Sequence, residues 1–358
     1  MINKVGIIGI GVIGASLGMA LRGNCPEITV AGRDLDPATV ERAIAMEALD
    51  LPLDDDSLSE CDLVILAAPL ATLPGIAEQI KAYVKNGAIV SDVGSVKSWV
   101  MQLLERTMPP GVHIIGGHPM AGSEKSGLQA ADKFLLENAA YILTPRSDTP
   151  PEPLWELSAL LQTIGARTVI MTAPEHDQAV AKVSHLPHLM SAALMNNLQS
   201  KPEFMSLAGG GLRDGTRTAS SDPDLWETIL RLNGDAVMAE LASMQQILGD
   251  YLNDLARDDG AALRAHLQSA REMRQNIPRL RPCLEDACDL IAIVPDRPGV
   301  IGTVGTLLGQ AGINIQQLQM AHVRDENEGS IKITVPGKNA AAACQLLKDH
   351  GFPSWLLE

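Results

Sequence analysis

"KVGIIGIGVIGASLGMALRG", Lys4 to Gly23, decides the reading of this chain. It begins as a short apolar run fit for a buried strand, passes through Gly9, Gly11 and Gly14, and continues as a helix with small residues along one side. A strand that turns on glycines directly into a helix opens a doubly wound α/β domain. The G-x-G-x-x-G spacing removes side chains where backbone must approach a pyrophosphate, and the helix N-terminus faces that charge. The next apolar segment ends in "AGRDLDP", which places Asp34 twenty positions after Gly14, the distance at which an acid receives the ribose hydroxyls of adenosine. The predicted cofactor site is therefore Gly9, Ile10, Gly11, Val12, Ile13, Gly14, Arg33 and Asp34. Arg33 can accept the 2′-phosphate of NADP, whereas Asp34 repels it; the balance favours NAD.

Outward from this turn, apolar strands recur with helical stretches between them: "EITVAG", "CDLVILAAP", "GAIVSD", "HIIGG", "AAYILTP" and "RTVIMT". That alternation predicts a largely parallel sheet with helices on both faces over residues 1–171, a Rossmann domain. Residues 172–275 lack strand runs and are Ala-, Leu- and Met-rich, predicting an all-α domain. Its apolar surplus exceeds what one small bundle buries, so a homodimer is expected. "QNIPRLRPCLED" marks a linker at 276–287, and residues 288–358 read βαββαβ, a ferredoxin-like module.

Composition narrows the function. The 358 residues are 46% hydrophobic, which suits globular domains with cores of their own, and only 3% aromatic, which leaves little for base stacking. A net charge of -15 disfavours nucleic acid and anionic membranes, so an anionic substrate must be held by local cations. Five scattered cysteines fit neither a disulfide framework nor a metal-ligand spacing, and no metal is expected. The sequence shows neither a signal-type segment nor a run of ~18 apolar residues; a cytoplasmic protein that does not span a membrane is expected.

"GGHPMAGSEKSG", Gly116 to Gly127, follows a strand directly, so His118 falls on the carboxyl-end rim where doubly wound sheets bind ligands. An imidazole there can take a hydroxyl proton while hydride leaves the same carbon, a role worth about 10²–10⁴ in rate. Pro119 stiffens the backbone, and the glycines leave room for ligand. The alternative is a hydrogen-bonded structural histidine.

This stretch, with "DVGSVK" (Asp92 to Lys97), "VSHLPH" (Val183 to His188) and "GGGLRDGTR" (Gly209 to Arg217), resembles the prephenate dehydrogenase family across nearly all of residues 1–275. The resemblance implies oxidative decarboxylation of prephenate to 4-hydroxyphenylpyruvate with reduction of NAD, a step of tyrosine biosynthesis. It implies that His118 and Ser95 are catalytic, the histidine accepting from the ring hydroxyl and the serine orienting it. It implies substrate binding by His188 and Arg217, with Asp177, Ser123, Glu124 and Asp214 shaping the pocket. Asp177 and His188, eleven residues apart on one helix, are predicted to share a face, with a kink at Pro187; Arg217 is expected on a glycine-led loop. His188 tilts the choice toward prephenate, because the family's arogenate users often carry another residue there.

"VPDRPGVIGTVGTLLGQAGINI", Val294 to Ile315, resembles an ACT domain. The resemblance implies an amino-acid effector, tyrosine as pathway product, held by the amides of Gly299 and Val300 with Asp296 and Asn314 nearby. A module that only dimerises is the alternative. Two readings of the whole chain compete: a non-catalytic nucleotide- and amino-acid-sensing regulator, and a helical-tailed hydroxy-acid dehydrogenase, which would use a lysine in the helical part.

Overall fold

A computed structural model describes residues 1–121, 127–277, 287–324 and 328–357. Two compact units emerge, Met1–Asn276 and Ile277–Glu358. The linker predicted at 276–287 falls, from residue 278 to 286, outside the described residues.

The first unit carries one eight-stranded sheet, ordered β3-β2-β1-β4-β5-β6-β7-β8. Its strands are β1 (Lys4–Ile8), β2 (Thr29–Arg33), β3 (Leu51–Pro52), β4 (Leu63–Leu66), β5 (Ile89–Asp92), β6 (His113–Pro119), β7 (Ala140–Pro145) and β8 (Arg167–Ile170). Interleaved are α1 (Val12–Asn24), α2 (Pro37–Ala45), α3 (Asp55–Leu58), α4 (Leu73–Ile80), α5 (Lys97–Thr107) and α6 (Pro151–Thr163). Within one strand, Leu63 and Ile65 join the core on one face while Val64 and Leu66 join the core on the other. Helices α1 and α6 cover the first face and α4 and α5 the second, which is why the strands read as continuous apolar runs. The strands from β3 to β6 run parallel, but β7 pairs antiparallel with β6, and β8 follows β7. The sheet is thus largely parallel, as expected, with its last two strands reversed.

The order reverses between β1 and β4, each the start of one half of the sheet, and the glycine turn sits at that switch. The helical part follows as α7 (Ala173–Val180), a π-helical turn (Ala181–His185), α8 (Leu186–Asn197), α9 (Gly210–Gly215), α10 (Pro223–Leu232), α11 (Gly234–Ala256) and α12 (Gly260–Gln275). It packs on the sheet part through Ile229 and Trp226 of α10. Among the described residues, α11 buries only Val237 and α12 buries none. No helix among them is long and apolar enough to cross a membrane.

The second unit holds β9 (Ala287–Pro295), α13 (Val300–Gln310), β10 (Gln317–Arg324), β11 (Glu328–Pro336), α14 (Gly337–Asp349) and β12 (Ser354–Leu356). Its antiparallel sheet, ordered β10-β11-β9-β12, buries Leu290, Ala292 and Val294 of the central strand against Val304, Leu308, Ala343 and Leu347 of the two helices. This is the βαββαβ module read from the sequence.

Candidate active site

The glycine turn is built as its spacing requires. Gly9 has φ +97°, and a Cβ there would lie 2.7 Å from the Ala67 backbone. A Cβ on Gly14 would collide with the Gly9 carbonyl, so these two glycines serve the fold itself. Gly11, the N-cap of α1, differs: a Cβ there meets nothing within 4 Å. Backbone and open space coincide at that point, at a helix N-terminus, which fits a pyrophosphate. Ile10, Val12 and Ile13 complete the turn and the first turn of α1. Asp34 accepts the Ile10 amide at 2.8 Å and the Asp36 amide at 3.1 Å, and its two oxygens retain lone pairs for hydroxyl donors. Arg33 is tied elsewhere, donating to the Leu53 carbonyl at 2.9 Å and to Asp55 at 2.6 Å.

Between β5 and α5 lies a buried ion pair that sequence reading missed. Lys97 and Asp92 have fully buried side chains and bond directly to each other. Lys97 Nζ also donates to the Gly117 carbonyl at 2.7 Å, and Asp92 accepts the Gly117 amide at 3.1 Å and the Gly94 amide at 2.8 Å. Both backbone polar groups of Gly117, the residue preceding His118, are therefore gripped. Gly117 has no side chain because a Cβ would strike the Asp92 carbonyl. Burial pulls the Lys97 ammonium down from its ordinary value, opposed by Asp92. Ser95 is half-buried in the turn between these two charges.

His118 is the penultimate residue of β6, half-buried, with Nδ1 2.8 Å from Nε2 of His176, the rings meeting edge-on. His176 Nδ1 in turn lies 2.8 Å from Asp177 Oδ1. The Asp177 carboxylate receives the amides of Lys97 (2.7 Å) and Ser98 (2.8 Å) at the start of α5. Burial would raise its pKa, but hydrogen bonds from His176, Ser98 and Lys97 outweigh burial and hold it below the usual range. The pKa of His118 is pushed well below the ordinary histidine value, first by burial and then by the Lys97 charge, which favours the neutral imidazole.

The expected shared face of Asp177 and His188 does not form. Pro187 has no N–H to give Val183, and the chain answers with the π-helical turn Ala181–His185, whose wider turns break a 3.6-residue repeat. The Asp177 carboxylate is engaged by the start of α5 and by His176, behind His118. His188 lies flat against the Trp226 indole, centroids 3.6 Å apart and planes 4° apart, and its buried Nδ1 has no hydrogen-bond partner among the described residues. Burial lowers its pKa. His185 is buried edge-on to the same indole, and Asn233 Nδ2 reaches its Nδ1 at 3.2 Å while donating to the Asp177 carbonyl at 2.8 Å. Burial pulls His185 down to about 4.

Asp214 and Arg217 are exposed. The glycines before them start the short helix α9 instead of an open loop, because Gly209 takes an extended conformation as its N-cap. Arg217 opens the turn that follows, and the Ala219 amide anchors that turn to Ser191, one helical turn beyond His188. Ser123 and Glu124 lie outside the described residues.

In the second unit, a cavity of about 520 Å³ is lined by Asp296, Arg297, Gly299, Val300 and Met320 among others. Gly299 has φ +88° and caps α13. Asn314 does not line this cavity, because it follows the other end of α13, an 11-residue helix about 16 Å long. Within one module Asn314 and Gly299 therefore do not line one cavity.

A family model described as prephenate dehydrogenase, nucleotide-binding domain, matches residues 17–170, and one described as prephenate dehydrogenase, dimerization domain, matches residues 172–269. The prephenate dehydrogenase of Bacillus subtilis is 31% identical over 342 residues, 93% of this chain and 92% of that protein. The chain belongs to the prephenate dehydrogenase family. An ACT domain model matches residues 289–351. The solved prephenate dehydrogenase from A. aeolicus, in complex with hydroxyphenyl propionate and NAD+, superposes with a TM-score of 0.72 at 29% identity, covering 78% of this chain and all but 1% of that one (99%). Synechocystis arogenate dehydrogenase gives 0.70 at 30% identity, covering 77% and 100%. For this member of the prephenate dehydrogenase family, the residues that sequence reasoning passed over are Asp92, Lys97, His176, Asn233 and Trp226. One signal was visible: Lys97 opens a helix whose next inward positions, Val100 and Leu104, are fully apolar, and a lysine on that face needs a buried partner.

Proposed function

We infer that the chain oxidises and decarboxylates prephenate to 4-hydroxyphenylpyruvate with NAD as acceptor. The observation that carries this reading is His118, a neutral imidazole on the sheet rim whose far side is fully engaged by His176. Gly9 to Gly14 and Asp34 would hold the dinucleotide, with Gly11 facing the pyrophosphate; the engagement of Arg33 by Asp55 supports NAD over NADP. When bound, the nicotinamide supplies an acceptor for the hydride of the substrate's C4. His118 accepts the ring-hydroxyl proton as that carbon is oxidised, Ser95 orients the hydroxyl, and loss of carbon dioxide makes the ring an aromatic phenolate, which takes the proton back from His118. Arg217 offers a guanidinium fork to a substrate carboxylate, and His188, with Asp214, Ser123 and Glu124, forms the remaining pocket. Asp177 acts through His176.

The working form is a cytoplasmic homodimer. The exposure of Met238, Leu252 and Leu255 of α11 and Leu267 and Met273 of α12, each more than half exposed, supports pairing of this surface. Residues 1–171, 172–275 and 288–358 form the Rossmann, dimerisation and ACT domains, joined by the linker at 276–287. Tyrosine binds the ACT cavity at Asp296, Gly299 and Val300, with Asn314 supplied across a module pair, and inhibits the enzyme.

The test is one steady-state comparison: prephenate and arogenate, each with NAD and NADP, with and without tyrosine, following reduced nicotinamide. Prephenate with NAD should give the highest kcat/KM. A higher value for arogenate, or no turnover of prephenate, overturns the substrate assignment; equal rates with tyrosine overturn the regulation.

A further inference from the structure

We propose that His176 is a positioning residue that fixes the tautomer of His118, so that Nε2 of His118 is the atom presented to the substrate hydroxyl. The inference deepens the proposed reaction and rests on that reading only for its kinetic consequence.

The direction of every proton in the chain follows from one end. Asp177 is an acceptor, because two backbone amides, those of Lys97 and Ser98, already donate to it. His176 Nδ1, 2.8 Å from Asp177 Oδ1, must then carry the proton of that bond. In the proposed chain that is the single proton of the His176 ring, and its Nε2 presents a lone pair. The donor is His118 Nδ1, 2.8 Å away. A neutral His118 with its proton on Nδ1 has a lone pair on Nε2, and that nitrogen is the base. His176 is completely buried, so it does not touch a ligand itself; its whole effect passes through His118. When His118 takes the hydroxyl proton at Nε2, its Nδ1–H bond to His176 persists, and the new positive charge faces the Asp177 carboxylate through the intervening ring. Two backbone amides at the start of α5 thus set the chemistry of a side chain on β6, by the same logic through which a buried carboxylate orients a catalytic histidine in hydrolases. The charge of Lys97 has a related effect, since it disfavours a second proton on His118 before substrate arrives.

The experiment has two readouts. Nitrogen-15 spectra of the intact protein labelled on histidine, with His118 assigned by comparison with His118→Gln, should show a pyrrole-type Nδ1 and a pyridine-type Nε2 for His118. In His176→Leu the pattern should become mixed or reversed. A wild-type His118 protonated on Nε2 overturns the proposal, whether or not prephenate is turned over, and so separates its failure from failure of the proposed reaction. In kinetics, His176→Leu should lower kcat by about 10²–10⁴ with KM changed less than about threefold, and the acid limb of the pH profile should move. His176→Gln, whose side-chain oxygen can take the place of the bare Nε2, should recover at least about tenfold over His176→Leu. A kcat for His176→Leu within about threefold of wild type, or no recovery with Gln, overturns it; if His176→Leu fails to fold, the wild-type spectrum decides.

Discussion

Removing either member of the Asp92–Lys97 pair should unfold the sheet part of this protein far more readily than removing both. The side chains are fully buried, so each charge depends on the other and on the peptide units around Gly117 and Gly94. Breaking a buried pair by deleting one partner costs about 3–5 kcal/mol, because the remaining charge stays in a low-dielectric interior. Asp92→Asn is the harsher change: it leaves the ammonium with the Gly117 carbonyl, whereas Lys97→Met leaves a carboxylate that still accepts two backbone amides. The loss is capped by deprotonation of Lys97, whose pKa burial already lowers. At about 2 °C per kcal/mol for a unit of this size, the singles should melt about 6–10 °C below wild type. Asp92→Asn with Lys97→Met replaces the pair by neutral groups of similar shape and should lose less than either single, a coupling of at least about 2 kcal/mol. Urea titrations followed by circular dichroism, compared at constant m, give the cycle. Singles within about 1 kcal/mol of wild type, or a double equal to their sum, would refute the reasoning.

Three further outcomes follow from the geometry. Gly14→Ala should destabilise the fold, since its Cβ strikes the Gly9 carbonyl, while Gly11→Ala should fold normally and bind NAD at least about tenfold more weakly, as measured by unfolding and by nucleotide titration; equal stability losses would contradict this. Leu252→Glu with Leu255→Glu on α11, exposed by 68% and 65%, should yield a monomer in sedimentation, and an unchanged dimer would remove α11 from the interface. Histidines 118 and 185 have folded pKa values below the ordinary 6.5, so the unfolded chain binds protons that the folded one refuses. Their contribution is complete above pH 6.5 and is lost as pH falls toward about 4, where His185 titrates. The urea midpoint should therefore drop between about pH 7 and about pH 5, with a shallower drop in His185→Gln; a midpoint that holds or rises contradicts the burial of neutral rings.

The sequence by itself determined what local physics determines. Apolar runs bounded by turn residues located β1, β2 and β4 to β7, because a strand buried on both faces needs apolar residues at every position, and also β8, an edge strand whose residues stay largely exposed. Gly9, Gly14 and Gly11 announced a close turn and a cradle, since the missing side chain is visible in the sequence itself. His118 was readable from its place after a strand. Only the tertiary structure decided the rest. The reversal of β7 left no trace, because side chains alternate identically in either strand direction. A regular helix would place Asp177 and His188 on one face, but the π-helical turn Ala181–His185 ahead of Pro187 alters the helical count between them. His176 lies 58 positions from His118, and no periodicity links two residues whose only relation is that separate elements carry them to within 2.8 Å. Hydrogen bonds and buried charges of this kind are chosen by the packing of the whole unit, which is why His118 was legible as a candidate and the partners packed behind it were not.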